Sequence, residues 1–116
     1  MVDSNFLFDK IVNGNANHSY QAIQLMKLDT IAFYDKFLNW IKEEFDLYLM
    51  NESLSESLLV YFPNGCFSVK NISKTEPFVI VEVKIVSKTL DCGTKTANQI
   101  TAVINLFHKA LDNHKK

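Results

Sequence analysis

The residues predict an α+β domain: an N-terminal helix or helices, a three-stranded antiparallel meander, and a C-terminal amphipathic helix packed on one sheet face. Three observations carry this. Ile31, Tyr34, Leu38, Ile41 and Phe45 recur at three- and four-residue steps, the spacing of one helix face. Asn64-Gly65 sits between two alternating apolar runs, which is a strong hairpin signal. Val79, Val81, Val83 and Ile85 alternate with Ile80, Glu82 and Lys84, the period of a strand.

Taken in order, the segment Asn5–Val12 is apolar and reads equally as a short helix or a strand. It stops at the turn-forming run Asn13-Gly14-Asn15-Ala16-Asn17, a loop by its turn chemistry, and irregular structure over 1–17 is the remaining alternative. A helix is expected from Ser19, whose hydroxyl suits the orphan N–H groups of a first turn. Asp29-Thr30 either caps a second helix or lies within the first. The stripe from Ile31 to Phe45 is widened by Phe33, Phe37 and Trp40, with Asp35, Lys36, Asn39, Lys42, Glu43, Glu44 and Asp46 on the opposite face.

If Asn64-Gly65 is a two-residue loop, Phe62 faces Phe67, Val60 faces Val69 and Leu58 faces Asn71, with the apolar side chains on one face. Lys74-Thr75-Glu76-Pro77 then joins the second strand to a third over Phe78–Ser87. Asp91-Cys92-Gly93 reads as a loop, and Thr96-x-x-Gln99 as a capping box for a helix bearing Ala97, Ile100, Ile104, Phe107 and Leu111. Residues 112–116 read as a frayed tail on a single domain spanning 1–116.

Composition narrows the function. A chain of 116 residues, 47% hydrophobic and 22% charged with nine Phe, suits one packed core without staples. The net charge of −1 supplies no field for nucleic acid or an anionic membrane. There is no arginine, the preferred fork for phosphate and guanine. Cys66 and Cys92 lack paired spacing, and no leader or membrane-length apolar run is read, so a reducing cytoplasm is the expected compartment. The sequons at Asn17, Asn51 and Asn71 are expected by chance in an Asn-rich chain.

No phosphate-cradling glycine loop, nucleophile elbow or zinc-helix motif is present, and no catalytic residue, cofactor or metal is expected. His108 and Asp112, four apart, could orient a base, although a helix-end pair is the commoner arrangement. Cys92 precedes a helix, where a thiol pKa can fall, but no histidine is placed beside it by spacing. Glu43, Glu44, Asp46, Glu52 and Glu56 concentrate acid in the middle of the chain, whereas residues 84–116 are lysine-rich. With Tyr61, those five acids form the expected partner-binding set, a face suited to a basic protein.

Gly93-Thr94-Lys95-Thr96-Ala97 faintly resembles the helix entry of double-stranded-RNA-binding domains, but offers one lysine where that entry needs several. The pairing of Phe37-Leu38-Asn39-Trp40-Ile41 with Tyr61-Phe62-Pro63-Asn64-Gly65 resembles the small immunity proteins of bacterial polymorphic-toxin systems. That resemblance implies a non-catalytic inhibitor that occludes a cognate toxin. Two alternatives stand beside it. A secretion-chaperone-like homodimer holding a secreted client is suggested by the mixed outer face of the third strand (Phe78, Ile80, Val86), and a small enzyme rests only on His108, Asp112 and Cys92.

Overall fold

The computed structural model describes residues 9–11, 19–53, 57–73 and 78–114. Its elements are β1 (Asp9–Ile11), β2 (Tyr20–Leu28), α1 (Ile31–Glu44), β3 (Met50–Ser53), β4 (Ser57–Phe62), β5 (Gly65–Asn71), β6 (Val79–Ser87) and α2 (Leu90–His114). The strands form one antiparallel sheet in the order β1-β2-β6-β5-β4-β3. Both helices pack against the central strands and against each other. The class is α+β, but the sheet is not the expected three-stranded meander. It is widened on one side by β2 and β1 and on the other by β3.

The largest correction concerns residues 20–28, expected as helix and found as strand. Gln, Ala, Leu, Met and Lys are good helix formers, and Ile23 and Leu25 blur the alternation. A nine-residue ladder to β6, from Tyr20↔Ser87 to Leu28↔Val79, overrides that local preference. It turns Tyr20, Ala22, Met26 and Leu28 into the core and Leu25 and Lys27 outward. Of the ambiguous opening segment, residues 9–11 are strand; residues 1–8 and the loop at 12–18 lie outside the described residues.

Helix α1 begins where Thr30 caps it. Thr30 is extended (φ −143°, ψ 161°), and its hydroxyl accepts from the Phe33 N–H at 3.1 Å. Tyr34, Phe37, Leu38 and Ile41 are buried, and Phe45 continues the buried stripe just past the helix end. Ile31 is exposed despite heading the stripe.

The hairpin forms two residues out of the expected register: Val60 faces Phe67, Leu58 faces Val69 and Phe62 faces Gly65. The loop is Pro63-Asn64. Asn64 carries the positive φ, 73°, and the proline ring holds Pro63 near −65°, the central pair of a type II turn. A two-residue shift leaves every side chain on its expected face. Gly65 is needed for space instead, since a Cβ there would lie 2.2 Å from the Val86 carbonyl oxygen and 2.8 Å from Ser87 Cα. The 74–77 connection lies outside the described residues.

Helix α2 starts earlier than the expected capping box. The Thr89 hydroxyl accepts from the Cys92 N–H at 3.2 Å, so Asp91-Cys92-Gly93 is the first turn rather than a loop. Thr96 is buried within the helix. Gly93 meets Tyr20: a Cβ would fall 2.4 Å from that ring. The helix continues through residues 112–114, expected to fray.

Together the helices and the inner sheet face enclose the core. Leu58, Val60, Phe67, Val69, Val81, Val83 and Ile85 are fully buried beneath Ile100, Ile104 and Phe107 of α2. Trp40 and Phe37 both contact the Phe107 ring, at centroid distances of 5.3 and 5.4 Å, which seams α1 to α2. No described helix is long and apolar enough to cross a membrane.

Candidate functional site

The chain leaving α1 makes a tight rim before entering β3. Phe45 N–H donates to the Ile41 carbonyl at 3.0 Å, and Tyr48 N–H donates to the Phe45 carbonyl at 2.9 Å. Phe45 packs edge-on against Phe67 (centroids 4.8 Å apart) and touches Tyr48 at 5.9 Å. These rings anchor the turn. Between and after them Leu47 and Leu49 project into solvent, 94% and 73% exposed. The Tyr61 N–H donates to the Leu49 carbonyl at 2.9 Å, which holds Leu49 opposite Tyr61, itself 40% exposed.

The acidic groups near this rim in the chain are not equivalent. Glu43 and Asp46 are exposed. Glu44 Oε2 accepts from Gln99 Nε2 at 3.1 Å, linking the end of α1 to α2. Glu52 Oε2 lies 2.7 Å from Lys42 Nζ, which neutralises it locally. Glu52 stands opposite Leu58, a helix-side position, whereas Tyr61 alternates with Val60 and Phe62 and so faces the outer side of the sheet. Glu56 lies outside the described residues.

Five of the six expected partner-binding residues can therefore be placed: Glu43, Glu44 and Asp46 at or just past the end of α1, and Glu52 and Tyr61 on opposite faces of the β3–β4 pair. Leu47 and Leu49 were missed by sequence reasoning. Their signal was present: two leucines follow the last buried stripe residue, Phe45, inside an acidic run where a helix face no longer requires them.

The residues considered for catalysis are not brought together. Cys92 and His108 stand 16 residues apart on the one helix α2, roughly 24 Å at 1.5 Å per residue. The Thr89 hydroxyl, and then the Asn64 amide 3.5 Å from Sγ, hold the Cys92 thiol below its ordinary pKa. Cys92 borders a small cleft of about 90 Å³ with Tyr48, Phe62, Pro63, Lys95, Thr96 and Gln99. Burial pushes His108 below its ordinary value, and the Asp112 carboxylate only partly opposes this. Its Nδ1 is buried without a hydrogen-bond partner, as is Asn105 Oδ1 one turn earlier. Among the described residues no three His, Cys, Asp or Glu side chains converge as metal ligands. His18 lies outside the described residues.

No protein-family model matches this chain, and no curated protein matches its sequence significantly.

Proposed function

We propose that this protein is a non-catalytic binding module, an immunity-type inhibitor that occludes a cognate bacterial toxin in the cytoplasm. The observation that supports this best is the rim. Leu47 and Leu49 are held out by a turn whose Phe45 is buried and whose Tyr48 packs half-buried against the core; Asp46 and Glu43, both exposed, precede them in the chain, and Tyr61 stands opposite Leu49. Two large apolar side chains kept in solvent by a well-anchored turn contribute nothing to folding, and an apolar centre with an acidic border fits a basic protein surface. Co-expression with the protein encoded beside it in the source genome tests the reading. Growth arrest relieved by the native chain, and not by a Leu47→Asp/Leu49→Asp variant of unchanged fold, is the expected result. Equal relief by both variants removes the rim from the mechanism, and the absence of any arrest or complex removes the inhibitor reading.

A second reading, a secretion-chaperone-like homodimer, is favoured by the outer sheet face, where Leu25 is 52% exposed and Ile72 and Val86 are also accessible. Sedimentation at high concentration decides it: a strictly monomeric profile removes the dimer.

A further inference from the structure

Among the described residues the outer face of the sheet carries no helix, and its relief follows from the register. Along β5 the outward side chains are small, Cys66 and Ser68, and then Lys70. Across the ladder to β4 these three face Tyr61, Leu59 and Ser57; across the ladder to β6 they face Val86, Lys84 and Glu82. Cys66 and Ser68 on the middle strand, between larger side chains on both neighbours, leave a trough along β5 that Lys70 ends. Its volume is about 310 Å³, lined by Ser57, Leu59, Cys66, Ser68, Lys70, Lys84 and Val86 with the backbone of Leu58 beneath. That lies at the small end of the range for small-molecule sites.

Its walls are mixed: Lys84 stands opposite Leu59 across Ser68, Val86 lies one row further along β6, and Lys70 closes the other end. Lys70 and Lys84 both line it, and neither has an ion-pair partner among the described residues, where the ion pair found is Lys42–Glu52. Lys27, on the same face, is already occupied: its Nζ lies 4.5 Å from the Phe78 ring centroid. Leu59 and Val86 supply the apolar walls. Glu82 is the nearest opposing charge in the register, facing Lys70 across the ladder, but it does not line the trough.

We propose that this trough is a binding site for a small amphipathic carboxylate, its headgroup between the Lys70 and Lys84 ammoniums and its apolar body against Leu59 and Val86 over Cys66 and Ser68. Two lysines against the single carboxylate of Glu82, with no ion pair to either among the described residues, favour an anion, and the apolar walls reject one that is fully hydrated, such as free phosphate. The site adjoins the rim at Tyr61, which faces Cys66 across the ladder, but its lysines lie elsewhere and it does not depend on the inhibitor reading.

The floor carries its own reporter. Cys66 lies in the trough, and Cys92 stands on the helix side of the sheet, so alkylation of the two thiols by iodoacetamide, resolved by peptide mass spectrometry, compares site and control in one molecule. With octanoate at millimolar concentration, Cys66 alkylation is expected to slow by about threefold or more while Cys92 is unchanged, consistent with the modest affinity of a ligand this small. Octanol should protect far less. A Lys70→Met/Lys84→Met variant should lose the protection, as should Ser68→Leu, which fills the trough from the floor. A short peptide ending in a free leucine carboxylate, set against its amide, distinguishes a peptide C-terminus from a free acid as the source of the same chemistry. The proposal fails if neither carboxylate protects Cys66, if octanol protects as well as octanoate, or if protection survives in the double lysine variant. Alkylation that slows with protein concentration but not with octanoate assigns the face to a second copy and also overturns it.

Discussion

The two faces of the sheet are built from the same six strands and obey different rules. On the inner face, every described position of β4 and β6 is buried, and nearly all are aliphatic or aromatic. On the outer face, apolar, hydroxyl and lysine side chains alternate without a common character: Leu25, Ser68, Lys84 and Val86 are neighbours or near-neighbours. The inner face is constrained by α1 and α2, which leave room for one set of shapes. The outer face and the rim beyond α1 escape that constraint, and the proposed recognition surfaces lie there. In the proposed scheme folding and binding are separated residue by residue, with alternate positions of one strand given to different tasks.

The sharpest way to test that separation is a pair of adjacent residues on β5. Phe67 is fully buried against Phe45, so Phe67→Ala is expected to cost about 3–5 kcal/mol in urea unfolding. Its outward neighbour Ser68→Ala should stay within about 0.5 kcal/mol. Comparable costs at the two positions would mean that something covers the outer face.

A smaller effect, informative through its sign, is expected at Gly93. Inside a helix, Gly→Ala normally stabilises by about 1 kcal/mol. Here the added methyl would collide with the Tyr20 ring of β2, so Gly93→Ala is expected to destabilise by about 1–3 kcal/mol. A rise in thermal midpoint would show that β2 does not lie beneath α2.

The mildest expectation concerns pH. Burial holds His108 below its ordinary pKa, so on acidification the unfolded chain takes up that proton first. The contribution to stability is full above the unfolded value and declines as pH falls below about 6.5, relative to a His108→Gln variant followed over the same range. Parallel pH profiles for the two chains would place His108 in solvent.

How far the residues disclosed this arrangement depended on whether local and distant preferences agreed. In α1 they did: the apolar stripe and the polar face specify the same helix, and of the two readings open for Thr30 the structure takes the cap. In β6, four β-branched residues at alternate positions leave one reading open. In β2 they conflicted. Tyr-Gln-Ala-Ile-Gln-Leu-Met-Lys-Leu favours a helix locally, and only the waiting edge of β6 makes it a strand. The hairpin illustrates a subtler miss. Asn64-Gly65 marks the turn, but Pro63 fixes the backbone ahead of Asn64 and moves the loop one residue earlier, while Gly65 serves close packing. Of the candidate site, the acids were legible as a charge cluster. Their split between Gln99, Lys42 and solvent was not, because those partners are set by the packing of α1 against α2 and β3.

The claim that the rim serves binding rather than folding can be tested in the producing cell. A photo-crosslinking amino acid placed at Leu47, and in parallel at the exposed Asn98 of α2, probes the two surfaces under the same conditions. A single discrete adduct from position 47, absent from position 98 and from a Leu49→Asp background, is the predicted result. No adduct at 47, or the same ladder of products from both positions, would contradict it.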